Sequence, residues 1–599
     1  MDSTHSDKAG DFSERVEQVN PSETQEIPNN YYKNKLFIGT CGAVAISLVS
    51  GTGAFSLAAP VLNSINNDLG PDPNFVWIGL VNTLMLACGY IIVGRLSDLC
   101  GRRYFFVGGN TLGLVGAIVC SRASSITNLI GGNVLLGLAA SVQTSIPFVM
   151  GELVPMKHRF LVTGLFYFFA IPCAVFGPAI SYAFIEHTSA GWRWIYYMLI
   201  ITNGVATTLW AIFYHPPTFV MITRKTKWQM VKDFDYIGFA LSIGGILVFL
   251  MGLSWGGSVH PWKSGYVIGF IVVGLLSMVA FVVYENVRKL PDPIIPLHLF
   301  SNIPWVVNIV INALAASAFY GFSIVVPQMV FGVWTSDQAY GSIVACSSSG
   351  GFIMGIILSG LARFLGPLKW QMIVCAVIST ALLGSVACAT TDNMHTVLGL
   401  LITGCVFCGY IEGSTVTTSS LAIRDQSEIG IAVGVGATTR GIGATIATTI
   451  YVVTLSNRLA TTIPELVPPA LSQAGLPKSS ITDFMLALQS GSFEQVAGVT
   501  PEIIATGVRA YQQAQVEAFR TIFFVSIAFI GSIVILAFFM PDLKSKMSDD
   551  VRALLRGKKE RERYIEDIEA RRQAAEPVGS RGDGQQADDM ADEKLGARD

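Results

Sequence analysis

A charged side chain in hydrocarbon is costly, so an ionisable residue inside a long apolar run faces a cavity or a partner. Glu412 and Arg440 are the clearest such residues in this chain of 599. They could pair, gate a passage or bind a solute, and a structural ion pair is as good a reading as a transport role. Neutral polar residues also interrupt apolar runs: Asn82, Gln143, Asn308, Asn312 and Gln328 could line a midplane cavity with Phe166, Tyr167 and Tyr320. Each could equally be packing glue between helices. A third group, Gly94-Arg95-Leu96-Ser97-Asp98-Leu99-Cys100-Gly101-Arg102-Arg103, is a short charged loop between two apolar runs, with Gly94 and Gly101 permitting a sharp turn and close helix approach. These patterns offer charge pairing, gating and recognition. Bond-making chemistry has no such support: there is no Gly-x4-Gly-Lys-Ser/Thr phosphate loop, no His-Glu-x-x-His metal motif and no convincing nucleophile elbow, so an enzyme and an ATP-driven pump are both disfavoured.

The elements that must position these residues are membrane helices. Hydrophobic residues make up 51% of the chain and charged residues 13%, against roughly a quarter charged in soluble globules. Mean hydropathy is +0.53. Apolar runs occupy 37–59, 76–94, 104–122, 128–150, 161–184, 194–213, 236–256, 265–284, 303–332, 340–362, 371–390, 396–422, 430–455 and 519–540. Each is about long enough to cross a hydrocarbon core of roughly 30 Å. Fourteen spans put both termini on one side, and loop charge tests which. Lys157, Arg159, Arg224, Lys225, Lys227, Lys232, Arg288, Lys289, Arg363, Lys369 and Arg424 fall on the side of the charged loop, against Arg122, Arg193 and Lys263 opposite. That bias makes both termini cytosolic.

Residues 1–34 lack the apolar core of a signal peptide and read as a disordered tail. Residues 542–599 read as a solvated charged helix followed by disorder, with a lipid-headgroup role for its basic residues as the alternative. The one long exterior loop, 457–516, carries prolines at 464, 468, 469, 477 and 501 and is expected to fold as short helices over the outer mouth. The ten cysteines lie almost wholly inside apolar runs, as buried hydrophobes rather than disulfides or metal ligands. No cofactor, metal or nucleic-acid partner is expected.

Gly94, Leu96, Ser97, Asp98, Gly101, Arg102 and Arg103 match in order the loop between helices 2 and 3 of the major facilitator superfamily, with Leu99 where a basic residue is usual. The resemblance implies that Gly94, Asp98, Gly101, Arg102 and Arg103 form a conformational latch. In the fifth run, Gly164, Gly177 and Pro178 match the antiporter pattern of that superfamily, while Cys173, Ser181 and Tyr182 replace glycines. Pro172 and Pro178 each remove a backbone donor, so this helix can bend; an ordinary proline kink is the alternative. Asn133 stands where proton-driven relatives carry an arginine, which leaves the coupling ion open.

Further segments narrow the resemblance: Glu152 to Arg159, Trp192-Arg193-Trp194, Asp235-Tyr236-Ile237-Gly238, Ser254-Trp255-Gly256-Gly257 and Pro293 to Phe300. Together they resemble the fungal branch with fourteen helices, nearest the trichothecene efflux pump family, over about residues 35–541. That implies an all-α polytopic major facilitator fold: a six-helix bundle at 35–215, a linker with an inserted helix pair at 216–300, and a second six-helix bundle at 301–541. It also implies a secondary transporter exporting a lipophilic small molecule, such as a fungal toxin, another secondary metabolite or a xenobiotic, by alternating access with proton coupling. Iron-siderophore import is the alternative, and a non-transporting sensor a remote one. A monomer in the plasma membrane is expected, with a vacuolar or vesicle membrane as the alternative. Asn133, Gln143, Gln328, Glu412 and Arg440 are the candidates for cavity or coupling.

Overall fold

Hydrocarbon offers backbone groups no partners, so a chain this apolar crosses it as helices that satisfy their own hydrogen bonds. A computed structural model describes residues 31–540 except 73, 76, 101, 146–148, 150–152, 156–157, 216–231, 233, 258–259, 289–293, 424–428, 491–492 and 494–495. The side chains of Tyr31, Arg95, Leu96, Asp98, Leu99, Cys100, Ile429, Gln489 and Ser490 also lie outside the description. Both tails expected from sequence, all but a few residues of the first, therefore fall outside the described residues.

Six traverses come first: α1 (Lys35–Ser56) with the short α2 (Leu62–Leu69), α3 (Trp77–Cys100), α4 (Arg102–Ser121), α5 (Ile126–Gln143), α6 (Arg159–Ala174) continued by α7 (Gly177–His187), and α8 (Arg193–Phe213). Helix α1 packs on α5, α6 and α8, and α4 and α5 pack on each other, which gathers these helices into a first bundle. The pair α9 (Tyr236–Trp255) and α10 (Gly265–Arg288) follows. These two pack on each other, and α9 packs on α3 and a later helix, α16. Helix α10 leaves Val272, Val273, Leu276, Val279 and Val283 exposed, the surface of a peripheral helix turned to lipid.

The second bundle holds α11 (Ile303–Met329), α12 (Gln338–Ala345) continued by α13 (Ser347–Ser359), α14 (Leu368–Ser385), α15 (Met394–Leu421), α16 (Ile429–Gln473) and, after α17 (Ile481–Ser490), α18 (Pro501–Ala537). Thirteen helical segments among the described residues are long and apolar enough to cross a membrane. Helix α16, packed against α3, α11 and α18, is not among them; its Arg440, threonines and glycines lower its apolar content.

The exterior segment differs from the expectation of short helices over the mouth. Helix α16 runs unbroken through Pro464, Pro468 and Pro469 to Gln473, and α18 begins at Pro501. With 45 residues, α16 is about 68 Å long at roughly 1.5 Å per residue, twice a hydrocarbon core. Its projecting end survives the prolines because it has a core of its own: Val467, Leu471, Leu476, Phe484, Val496 and Ile503 are buried together. Thr462 Oγ1 also donates to the Ala514 carbonyl at 3.1 Å, tying α16 to α18. Gly475, at φ +93°, supplies the left-handed turn just past the end of α16.

Candidate functional site

Between the bundles lies a space of about 1020 Å³, walled by Phe55 of α1, Tyr90 of α3, Tyr167 of α6, Phe319 and Tyr320 of α11, and Phe352 of α13. Its two charged residues are Glu412 and Arg440. Helix α15 holds Glu412 fully buried, and α16 brings Arg440 to it: Nε donates to Glu412 Oε1 at 2.8 Å, and Nη2 contacts the same oxygen. Both nitrogens therefore sit on one carboxylate oxygen, and Oε2 is buried without a partner. The guanidinium also donates from Nη1 to the Tyr320 hydroxyl at 3.3 Å and lies 5.4 Å from that ring's centroid. Tyr320 in turn packs on Phe55 of the first bundle, with centroids 5.3 Å apart. The pair thus joins α15 to α16 and lines the cavity.

The first bundle contributes hydroxyls and an amide to this wall. Tyr90 and Thr144 hydroxyls are 2.7 Å apart, and Thr144 donates to the Ala140 carbonyl. Asn82 and Asn312 both line the cavity and are 2% and 4% exposed; Asn82 Nδ2 and Asn312 Oδ1 have no hydrogen-bond partner. One turn before Asn312, Asn308 is fully engaged: Nδ2 donates to the Thr415 carbonyl at 2.9 Å and Oδ1 accepts from Thr418 at 2.6 Å. Asn308 is packing glue.

Gln143, expected at the cavity, is held elsewhere. Its Nε2 donates to Asn203 Oδ1 at 2.6 Å and Asn110 Oδ1 at 3.3 Å. Ser47 donates to Asn110 Oδ1 at 3.1 Å and accepts from Trp210 Nε1 at 2.7 Å, closing a neutral network inside the first bundle. Gln328 is corrected as well: it is exposed on α11, one residue past Pro327, and does not line the cavity. Asn133 is fully buried beside Cys120, with Nδ2 donating to the Leu129 carbonyl at 3.0 Å. It too lies off the cavity wall. Phe166 is buried in the core, whereas its neighbour Tyr167 faces the cavity. Tyr90, Thr144, Phe319 and Phe352 escaped sequence reading because an aromatic or hydroxyl residue in an apolar run carries no mark of which face it occupies.

The bend expected in the fifth run is a break. Helix α6 ends at Ala174 and α7 starts at Gly177. Pro178 has no N–H to continue the ladder, and Ser56 of α1 donates to the Cys173 carbonyl at 2.8 Å, while Ser181 donates to the Leu57 carbonyl at 2.7 Å. A methyl on Gly177 would lie 2.5 Å from the Ser56 carbonyl oxygen, so only glycine admits this approach. Tyr182, a departure from the glycine pattern, donates to the Pro60 carbonyl and packs on Phe331 of the second bundle at 5.2 Å between centroids.

At the end bearing Arg102, Arg103 and Arg159, glycines bring the bundles together. Gly164 of α6 meets Gly360: a methyl on Gly164 would lie 2.7 Å from the Ile357 carbonyl oxygen and 3.2 Å from Gly360 Cα. Gly94 of α3 meets α16, where a methyl on Gly434 would lie 3.3 Å from Gly94 Cα. Buried Arg159 reaches across from α6 to Ser420 Oγ of α15 at 3.3 Å. Of the latch residues, Gly94 thus sits in an inter-bundle crossing. Arg103 donates to the Ala211 carbonyl of α8 and works within the first bundle. Arg102 is half-buried at the start of α4; the Asp98 side chain and Gly101 lie outside the described residues.

Two helical bundles with a single pair of charges in an aromatic cavity between them define a membrane carrier of the major facilitator class. The chain belongs to a particular branch of it: the family described as fungal trichothecene efflux pump (TRI12) matches residues 9–585. The trichothecene efflux pump TRI12 of Fusarium sporotrichioides is 29% identical over 540 residues, 88% of this chain and 89% of that one. The trichothecene efflux pump TRI12 of Trichoderma arundinaceum is 30% identical over 440 residues, 72% and 73% of the two chains. The MFS-type transporter prx5 of Penicillium rubens is 26% identical over 534 residues, 86% of this chain and 93% of that one.

Proposed function

We propose that this chain exports a lipophilic small molecule, a trichothecene-like toxin or another secondary metabolite or xenobiotic, by alternating access. The bundles at 35–215 and 301–541 rock about the cavity, with 216–300 as linker and inserted pair. The observation that carries this reading is the cavity: aromatic walls from both bundles around one self-neutralised ion pair suit an apolar cargo without net charge. The similarity to trichothecene efflux pumps supports the outward direction.

Proton coupling is proposed at Glu412. Its Oε1 is held by Arg440, and its Oε2, buried without a partner, is the oxygen proposed to take the proton. Protonation would cancel the attraction between α15 and α16 and free the guanidinium, coupling a proton to a change in helix contacts. Both termini are assigned to the cytosol of a plasma-membrane monomer that does not alter its cargo chemically. The glycine crossings then form the cytosolic end.

The test is uptake of a radiolabelled trichothecene into inside-out plasma-membrane vesicles with an acidic lumen. Accumulation that collapses with the pH gradient is expected, and Glu412→Gln should abolish that dependence at equal protein abundance. Full pH-driven flux in E412Q would remove Glu412 from the coupling step. Failure to accumulate trichothecene, with entry of a ferric siderophore into right-side-out cells, would reverse the direction.

A further inference from the structure

We infer that Asn82 and Asn312 read a single uncharged cargo from opposite bundles, Asn82 donating to a carbonyl or ether oxygen and Asn312 accepting from a hydroxyl. This rests on the carrier reading above and specifies what its cavity recognises. A buried polar group without a partner is costly, and such groups are few in folded proteins. Here three belong to residues that line one cavity: Asn82 Nδ2, Asn312 Oδ1 and Glu412 Oε2 are each buried without a partner. The first is a donor and belongs to α3 of the first bundle; the other two are acceptors and belong to α11 and α15 of the second.

The contrast with Asn308 makes the assignment specific. Asn308 and Asn312 are four residues apart on one face of α11, yet Asn308 spends both ends of its amide on α15 and Asn312 spends none of its carbonyl. The ion pair leaves the wall with no net charge to offer an ionic cargo. An apolar frame with an oxygen acceptor at one end and a hydroxyl at the other satisfies both amides at once and bridges the bundles. A bare hydrocarbon or a diketone leaves an acceptor buried and unpaired, which is how polar sites reject close analogues.

The experiment uses the full-length protein in lipid nanodiscs and three tritiated probes on one steroid frame: the keto-alcohol, the diketone and the monoalcohol that lacks the keto oxygen. Wild type should bind the keto-alcohol about tenfold or more tighter than either partner, the size expected from one buried group left unpaired. Asn312→Leu should cut the preference over the diketone to below about threefold while keeping the preference over the monoalcohol, and Asn82→Leu should do the reverse. Should a leucine variant fail to purify, Asn82→Ala and Asn312→Ala, which add no bulk, make the same comparison. Absence of keto-alcohol binding to wild type, or variants that leave both preferences unchanged or lower all three affinities alike, would overturn the inference. Binding at equilibrium does not depend on flux. Correct selectivity with no vesicle transport would sink the export reading and leave this one standing, and transport with unaltered selectivity in the variants would do the opposite.

Discussion

In the first bundle, Ser47, Asn110, Gln143, Asn203 and Trp210 join helices α1, α4, α5 and α8 through neutral hydrogen bonds, and none of the five retains a buried side-chain polar atom without a partner. In the second, Glu412, Arg440 and Tyr320 join α15, α16 and α11 through charge, and one carboxylate oxygen is buried without a partner. Both clusters are buried and polar, and from sequence Gln143 and Glu412 look alike as candidates. They differ in what remains to be satisfied. A closed network has spent its hydrogen-bonding capacity on holding helices together, whereas an open one still has capacity for a proton or a cargo. In this carrier the Gln143 network is spent on packing, whereas the Glu412 cluster keeps one unpartnered carboxylate oxygen.

The largest way to break that contrast is Arg440→Ala. It would strand Glu412, fully buried, without its counter-charge, and losing one partner of a buried pair costs about 3–5 kcal/mol. The apparent melting temperature in detergent should fall steeply and flux should vanish. Glu412→Leu combined with Arg440→Leu should recover most of the thermal stability and none of the proton coupling, since apolar replacement of a buried pair is often neutral. A double variant as unstable as the single one would mean that the pair holds α15 to α16 by more than its charge.

Gln143→Leu probes the other side at a smaller cost. Asn203 Oδ1 would lose its 2.6 Å donor, and an orphaned buried acceptor costs about 1–3 kcal/mol. The melting temperature should drop while KM for cargo and the pH dependence of flux stay as in wild type, because Gln143 lies off the cavity wall. A shift in pH dependence would break the division between a structural bundle interior and a functional one.

How much of this was legible in the sequence follows from the physics of each signal. The spans were readable because hydrocarbon demands long apolar runs, and Glu412 and Arg440 because a charge in such a run stands out against everything near it. Faces were not readable. A helix apolar all round carries little periodicity, so nothing in the sequence says that Gln328 points out of α11 while Asn312 points in. Nor does it say that Thr415 and Thr418 of α15 silence Asn308 and spare Asn312 one turn on. Gly94 and Gly164 were legible as glycines in known patterns, but their partners Gly434 and Gly360 come from tertiary packing. The run of α16 through three prolines was hidden for the same reason: local propensity ends a helix there, and the buried Val467, Leu471 and Phe484 keep it going.

Tyr90→Phe is the smallest and sharpest test, because it touches the one place where the first bundle turns a hydroxyl pair to the cavity. Removing the phenol oxygen deletes the 2.7 Å contact with Thr144, but Thr144 still donates to the Ala140 carbonyl and is not orphaned. Stability should therefore change by no more than about 1 kcal/mol. What should move is recognition: KM for a hydroxylated cargo should rise about two- to fivefold with kcat little altered, the size of one neutral hydrogen bond. The pH dependence set by Glu412 should be untouched. If Tyr90→Phe instead flattened the pH profile, the proton would be passing through the first bundle's hydroxyls, and the assignment of coupling to the second bundle's charged pair would have to be abandoned.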